Sequence, residues 1–168
     1  MALNAYLRNV KGEKQGNFKG GVIQKGREGW IEVIESSHSI VSPRDPASGQ
    51  ATGKRSHKPI RLRFYYDTSL PMWYNALVYN ESLKTVEIAF FSPNKLGTAG
   101  GAGVETETYT IILTNAFVAQ LDFHMPNNKN PDLMKYENTV SVELVYQKIE
   151  GTWKLGNKVW SDDWLAPT

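Results

Sequence analysis

The sequence predicts a mainly β fold, either a single small β-barrel or two packed antiparallel sheets, with one short flanking α-helix. Apolar and polar residues alternate with period two along most of the chain, which is typical of strands that bury one face. A single segment, about residues 69–80, changes to a helical period. The 168 residues, 40% of them hydrophobic, suffice for one domain, so we expect residues 1–168 to form a single barrel domain.

The strand predictions follow from this alternation. The predicted strands are Ala2–Asn9, Gly29–Val41, Ile60–Tyr66, Val86–Phe91, Thr108–Leu113, Phe117–Met125, Val140–Gln147, Thr152–Leu155 and Lys158–Ser161. In the third of these, Ile60, Leu62 and Phe64 share one face and arginines occupy the other. The second faces are not wholly polar, since they carry Tyr65, Phe91, Ile112 and Val145. Such side chains would be exposed in a lone monomer and buried at subunit contacts in an assembly.

The helix prediction depends on spacing and on its first turn. Apolar residues recur at i, i+3, i+4, i+7 and i+8, which describes one helical stripe: Leu70, Trp73, Tyr74, Leu77 and Val78. Ser69 is a suitable N-cap, and Pro71 falls in the first turn, where proline is tolerated. The stripe is expected to pack on a sheet or barrel.

The C-terminal region predicts a terminal hairpin. Gly151 and Gly156-Asn157 are interpreted as turn residues on either side of residues 152–155. Asp163 is expected to end the last strand, with Trp164 anchoring the tail. The tryptophans are interpreted as core residues, namely Trp30, Trp153 and Trp160.

Residues 42–59, which we call the arm, form a long extended loop that interrupts this strand-rich pattern. The arm contains three prolines and two glycines, which argue against a helix or a central strand. Its charged residues are mostly basic: Arg44, Lys54, Arg55 and Lys58, with the single acid Asp45. Loops longer than about 12–15 residues in compact domains are usually functional or disordered. The length and basic composition of the arm therefore predict that it is a docking segment, and the alternative is a loop that is merely solvated.

Composition excludes several classes of function. The net charge is only +2, which argues against a protein that binds nucleic acid or a membrane over its whole surface. The absence of cysteine excludes disulfides and thiolate metal sites. The N-terminus lacks the basic and apolar regions of a cleaved signal peptide, and no apolar run approaches the roughly 20 residues that span a bilayer. We expect synthesis in a cytoplasm, no membrane insertion and, if the chain is exported, a route without a cleaved signal.

No residue pattern predicts catalysis, a cofactor or a metal. Residues 49–55 differ from a phosphate-binding loop, because three rather than four residues separate the glycines and Arg55 follows Lys54. The three histidines, His38, His57 and His124, lack the spacing of metal ligands. Adjacent Asp162 and Asp163 would point to opposite faces of a strand and cannot converge on one substrate. A hydrolase would therefore lack a recognisable site, and measured turnover would be needed to support that hypothesis.

Several segments together resemble a known family along nearly the whole chain. They are Lys19–Ile23, Arg27–Val33, His38, Ser48–Pro59, Asp67–Pro71, Tyr109–Ala116, Met125–Pro126, Glu143–Ile149 and Asp162–Trp164. In this order and spacing they are similar to Hcp, the haemolysin-coregulated protein that forms the tube of bacterial type VI secretion systems. Residues 97–103, rich in glycine, and residues 126–131 resemble variable loops of the family.

The resemblance implies a small β-barrel with a short helix, and hexameric rings that stack into an inner tube. The tube is exported when a contractile sheath drives it out, and the ring lumen carries and chaperones small effectors. The implied partners are other copies of the chain, a spike (VgrG-type) protein, sheath and baseplate proteins, and effector cargo. The family is structural, and the end of the chain at Thr168 implies no C-terminal toxin domain. Assembly would take place in the bacterial cytoplasm, followed by secretion without a cleaved signal peptide.

The arm supplies the candidate ring and stacking contacts: Arg44, Asp45, Lys54, Arg55, His57 and Lys58. We hypothesise that their contacts set the stacking register and make tube formation sensitive to salt. Residues that line the lumen or hold effectors are not identified by the sequence. The alternative is a monomeric β-barrel that binds a small ligand, or single-stranded nucleic acid through the basic arm and nearby Tyr65 and Tyr66. Oligomeric state distinguishes the two hypotheses.

Overall fold

The computed structural model describes residues 3–93 and 105–165. Within these residues the chain forms ten strands and one helix. In order they are β1 (Ala5–Gly12), β2 (Gly16–Asn17), β3 (Ile31–Ser37), β4 (Ile40–Val41), β5 (Ser56–His57), β6 (Ile60–Tyr65), α1 (Leu70–Val78), β7 (Leu83–Pro93), β8 (Glu105–His124), β9 (Thr139–Trp153) and β10 (Lys158–Asp163). The predicted mainly β class is confirmed. The glycine-rich segment 97–103 lies outside the described residues.

Six strands close into a barrel, which decides between the two predicted architectures. They are hydrogen-bonded in the order β9-β6-β3-β1-β7-β8, and β8 pairs with β9 to complete the circle. All of these pairings are antiparallel. β2 pairs with the end of β1, β10 pairs with the second half of β9, and β4 and β5 form a separate two-stranded sheet.

Period-two alternation places the core inside this barrel. In β6, Ile60, Leu62 and Phe64 are 0% exposed, whereas the arginines between them face outward. Leu62 lies opposite Val142 of β9 and Phe64 lies opposite Val140, so neighbouring strands bury matching positions. Burial of each such apolar side chain stabilises the fold by about 1.5–3 kcal/mol.

Helix α1 confirms the change of period, and its indole completes the core. Trp73 is fully buried, and its ring lies 5.0 Å from that of Phe18 and 5.7 Å from that of Phe64. Ala76 is also buried, and Leu70 and Leu77 pack partly against the core. The helix therefore adds its apolar stripe to the barrel core, as predicted.

The predicted buried stripe is wrong at two positions, whereas the predicted N-cap residue is confirmed. Tyr74 and Val78 were expected on the buried stripe but are 41% and 70% exposed. At about 100° per residue they lie roughly 100° and 140° around the helix from Trp73, outside the buried face. Ser69 occupies the N-cap position, but its hydroxyl makes no capping bond. It donates instead to Asp67 (2.6 Å) and accepts from the Trp73 indole N–H (3.1 Å).

The terminal hairpin is present, but its tryptophans are not core residues. Trp153 and Trp160 are 46% and 40% exposed, because the hairpin runs past the end of the β6–β9 pairing. Gly151 lies within β9 and is not a turn residue. A Cβ there would meet the Trp160 Nε1 at 2.2 Å, so the ring requires a glycine beneath it. The predicted turn is confirmed at Gly156 and Asn157, which have φ values of 82° and 46°.

A second, smaller apolar cluster lies outside the barrel wall. It includes Phe91, a side chain that was expected to be buried only at subunit contacts. Tyr6, Ala89 and Phe91 are buried there, against the partly buried Val22 and Trp30. The guanidinium of Arg27 lies 4.0 Å from the centre of the Phe91 ring. Phe91 is therefore covered within its own chain, which corrects the expectation that it lies on an exposed second face.

Several predicted strand boundaries differ because two long strands continue through positions where the apolar alternation is interrupted. The predicted strands 108–113 and 117–125 belong to β8, a single strand of 20 residues. The predicted strands 140–147 and 152–155 likewise merge into β9, which has 15 residues. Predicted strand Gly29–Val41 instead divides into β3 and β4. Within the described residues, no helix is long and apolar enough to cross a membrane.

Candidate assembly site

The arm folds as a hairpin and not as a structureless loop. Its stem is the β4–β5 sheet, in which Ile40 lies opposite His57. Further out, Thr52 donates its backbone N–H to the Pro43 carbonyl at 3.0 Å. Arg44 pairs with Ala51 as an isolated bridge. Prolines and glycines exclude a central strand, as predicted, but they permit this short two-stranded projection.

The tip of the arm is ordered by its own side chains. The carboxylate of Asp45 accepts hydrogen bonds from the Ser48 hydroxyl at 2.5 Å and from the backbone N–H groups of Ala47 (3.2 Å) and Ser48 (3.1 Å). The Ser48 hydroxyl, followed by these backbone donors, lowers the pKa of Asp45. Arg44 donates to the Gly49 carbonyl at 3.0 Å. The turn at the tip is therefore formed before any partner is contacted.

The base of the arm is fixed to the C-terminal strand. Arg55 makes a bidentate ion pair with Asp162 of β10 and also donates to the Asp163 carbonyl at 3.2 Å. The hydrogen bond to Asp162 raises the pKa of Arg55. Lys54 donates to the Trp164 carbonyl at 2.7 Å. Two of the six predicted contact residues are thus engaged within their own chain.

A third predicted contact residue, His57, is buried at the base of the arm. Its side chain is 0% exposed, and its Nε2 lies 2.5 Å from Asp162. Its Nδ1 lies 2.9 Å from the hydroxyl of Tyr146, which also lies 2.6 Å from the Nε2 of His38. The Trp164 ring packs 5.5 Å from that of His57, confirming that Trp164 anchors the tail.

The buried polar groups in this network have shifted pKa values. The hydrogen bond from Arg55, with a further bond from His57, lowers the pKa of Asp162 against the opposing effect of burial. Burial, helped by the charge of Asp162, raises the pKa of Tyr146 to about 12. Burial, followed by repulsion from His57, lowers the pKa of His38. The network therefore favours a neutral tyrosine, a neutral His38 and a charged carboxylate.

His57 and Asp162 have the chemical groups of a general-base pair, but a substrate cannot reach the histidine. A histidine hydrogen-bonded to a carboxylate can serve as a base when its other nitrogen reaches a substrate. In His57 both ring nitrogens are occupied and the side chain is inaccessible. Among residues 3–93 and 105–165, no group of three or more His, Cys, Asp or Glu side chains could hold a metal ion. The cluster is organised to join chain segments.

The structure thus places the six predicted residues at three positions: the base of the arm, its tip and the side of its stem. Lys54, Arg55 and His57 lie at the base of the arm against β10, whereas Arg44 and Asp45 lie at the tip. Lys58 is exposed beside the stem. Sequence reasoning missed His38, Tyr146 and Asp162 as the groups that hold the base. The available signal was Tyr146 on the core-facing side of a predicted strand, since a buried tyrosine hydroxyl usually has a polar partner.

Grooves on the outside of the barrel, among the residues that the structure describes, include one of about 480 Å³ and one of about 600 Å³. The first is lined in part by Tyr65, which is exposed as predicted for a second-face residue. The interior is filled by side chains such as Phe64 and Trp73, both 0% exposed. This filling argues against the alternative in which the barrel encloses a small ligand.

Comparisons with known proteins identify the same family over the whole fold. The family model described as "Type VI secretion system effector, Hcp" matches residues 8–153. The "Major exported protein" of Pseudomonas aeruginosa is 31% identical over 176 aligned positions, covering 99% of this chain and 98% of that protein. A crystal structure of an Hcp protein superposes with a TM-score of 0.84 and 28% identity, covering 99% of this chain and 100% of the other. A double mutant of Hcp1 from E. coli EAEC 042 gives a TM-score of 0.80 and 32% identity, covering 97% and 99%.

Proposed function

Because the chain belongs to the Hcp family of type VI secretion proteins, we propose that it builds the inner tube of such a system. Six copies would close into a ring, and rings would stack into a tube. The observation that carries this proposal is the match of the entire barrel and arm to an Hcp structure at a TM-score of 0.84. Membership of this family indicates a structural, exported protein and not an enzyme.

Exposed apolar side chains support assembly. The terminal hairpin leaves Trp153, Leu155, Val159 and Trp160 between 40% and 65% exposed. Trp153 and Trp160 lie on one face of the hairpin, because Trp160 is paired with Gly151, whereas Val159, paired with Thr152, lies on the other face. Exposed apolar side chains that lie together, as the two tryptophans do, commonly mark an interaction site. In a ring of identical subunits each contact joins two different surfaces, and a rotation that closes the ring leaves the end faces free to stack. The hairpin supplies one surface for such contacts.

The arm supplies the second element of the proposal. Arg44 and Asp45 at the tip, with Lys58 beside the stem, are the residues we propose contact a neighbouring subunit. Lys54, Arg55 and His57 would contribute by holding the arm in position. Contacts between exposed charges weaken with salt, so tube formation would be sensitive to ionic strength.

The remaining parts of the function follow from the proposed tube. The chain would be made and assembled in the bacterial cytoplasm and leave without a cleaved signal peptide when the sheath contracts. Its partners would be a VgrG-type spike, sheath and baseplate proteins, and small effectors that it carries and chaperones in the lumen. The family assignment and the exported relative support this part of the proposal.

The first test is native mass by light scattering, with negative-stain images of the same peak. We expect rings at six times the 18.9 kDa mass of one chain. A monomer that persists across salt and protein concentration would overturn the ring.

A second test addresses the arm. Across a range of salt concentrations, the Arg44→Ala/Lys58→Ala variant should form fewer tubes than the parent protein, while its rings remain intact. The control, Lys129→Ala/Lys135→Ala, removes the same charge from another exposed loop. If both variants stack like the parent protein, the arm does not set stacking.

A further inference from the structure

Four side chains from distant parts of the chain form one line of hydrogen bonds, which we call the latch: His38, Tyr146, His57 and Asp162. His38 follows β3, His57 belongs to the base of the arm, Tyr146 to β9 and Asp162 to β10. The successive separations between polar atoms are 2.6, 2.9 and 2.5 Å. The latch therefore joins the arm both to the barrel and to the last strand.

When both histidines are neutral, all three hydrogen bonds of the latch can form. An ionised carboxylate only accepts, so the His57 Nε2–H donates to Asp162. The Nδ1 of His57 is then an acceptor for the Tyr146 hydroxyl. The Tyr146 oxygen in turn accepts from the Nε2–H of His38. Every donor in the line has one acceptor.

The line can also accept one additional proton. If His57 is protonated at Nδ1, that N–H donates to the Tyr146 oxygen, and the hydroxyl turns to donate to His38. His38 then carries its own proton on Nδ1, away from the line. All three contacts persist: the two at Tyr146 reverse direction, while the His57 Nε2–H still donates to Asp162, which balances the new charge.

A second additional proton cannot be accommodated by rearranging the hydrogen bonds. Both imidazolium rings would donate to the Tyr146 oxygen, whose own hydrogen would lose its acceptor. Two cations would face each other across one atom, with Arg55 also nearby on Asp162. The other charged groups at the base are Lys54 at the Trp164 carbonyl and the Asp163 carboxylate, which accepts from the Leu165 N–H at 2.9 Å. Burial and the proximity of His57 already lower the pKa of His38.

We propose that the latch is an acid-sensitive device: double protonation of His38 and His57 detaches the base of the arm from β10 while the barrel stays closed. Above the ordinary histidine pKa of about 6.5 the latch stabilises the attached arm. This contribution is lost as the pH falls through the lowered pKa of His38. The proposal concerns the single chain and would hold for a monomer as well as for a ring.

The test is hydrogen exchange of backbone amides, followed by mass spectrometry from about pH 7.5 to about pH 5 and corrected for intrinsic exchange rates. The reporting amides are Lys58, bonded to the Ser39 carbonyl between the two latch histidines, and Trp164, bonded to the Gln147 carbonyl with its ring packed on that of His57. The β6–β9 ladder is the internal reference for the barrel. Light scattering at each pH monitors the assembly state.

The key variant is His38→Gln, because a glutamine amide can donate to Tyr146 but cannot take up a proton. His124→Gln is the matched control, since His124 is exposed at the end of β8. In the parent protein and the control, exchange in the arm should rise about tenfold per pH unit below the titration of His38, with the β6–β9 ladder unchanged. In His38→Gln the arm should stay protected.

Three results would overturn the latch. One is a flat profile for the arm in the parent protein. Another is opening of His38→Gln at the same pH as the parent. The third is exchange of the β6–β9 ladder together with the arm, or a loss of mass that precedes exposure of the arm, since either would show general acid unfolding or dissociation.

Discussion

Replacing Tyr146 by phenylalanine should destabilise the fold measurably while leaving its packing intact. The hydroxyl makes two hydrogen bonds, to His38 and His57, and each neutral bond contributes about 0.5–1.5 kcal/mol. Its loss also leaves a nitrogen of the fully buried His57 without a partner, which costs about 1–3 kcal/mol. Phenylalanine keeps the ring volume, so no cavity forms. The bond to His57 and the nitrogen left unpaired there are one contact and are counted once, so together with the bond to His38 we expect a total loss of about 3 kcal/mol.

The assay is unfolding by urea and by heat, with parent and variant at one protein concentration because assembly adds to apparent stability. For a chain of this size the expected loss lowers the melting temperature by about 5–10 °C. The control is Tyr136→Phe, a tyrosine that is 59% exposed, which should change stability by less than about 0.5 kcal/mol. If Tyr146→Phe is as stable as this control, the hydroxyl does not hold His38 and His57 in place.

Two further predictions concern close packing and alkaline pH. Gly20→Ala would place a Cβ 2.2 Å from the backbone carbonyl oxygen of Trp30, so it should cost about 1–3 kcal/mol, whereas Gly53→Ala, with open space around it, should be neutral in the same thermal melts. Tyr146, whose pKa is raised from 10.0 to about 12, keeps its proton when the unfolded chain releases it. Its contribution is therefore complete below pH 10 and is lost as the pH rises through about 12. The stability difference between the parent protein and Tyr146→Phe should shrink over that range in urea titrations, and a constant difference would contradict this assignment.

The sequence predicted the elements whose burial follows a local period. The alternation in β6 and the existence of a helix around Trp73 were predicted correctly because one face of each element packs on the barrel core, although the predicted helical stripe was too wide by Tyr74 and Val78. The errors lie where that condition fails. Trp160 has the composition of a core residue but sits on a hairpin beyond the barrel, and Phe91 is covered by a loop whose position no periodicity describes.

The anchor of the arm could not be predicted because it is made by contacts distant in sequence. His38 meets Tyr146 across 108 residues, and His57 meets Asp162 across 105. Only closure of the barrel brings these groups together. The sequence therefore predicted a docking role for the arm from its composition, but it could not separate residues that hold the base from residues that remain exposed at the tip.

This separation has a consequence for the order of assembly. Arg55 and His57 reach their partners only when β10 has paired with β9, and β10 is the last strand of the described chain. Contacts between distant residues form late, because closing a long loop costs entropy before the contact rewards it. We expect the arm to take its final position only after the barrel and the terminal hairpin have formed. A subunit that has not finished folding would then lack both the exposed hairpin and the positioned arm, so incomplete chains would be excluded from the tube that we propose.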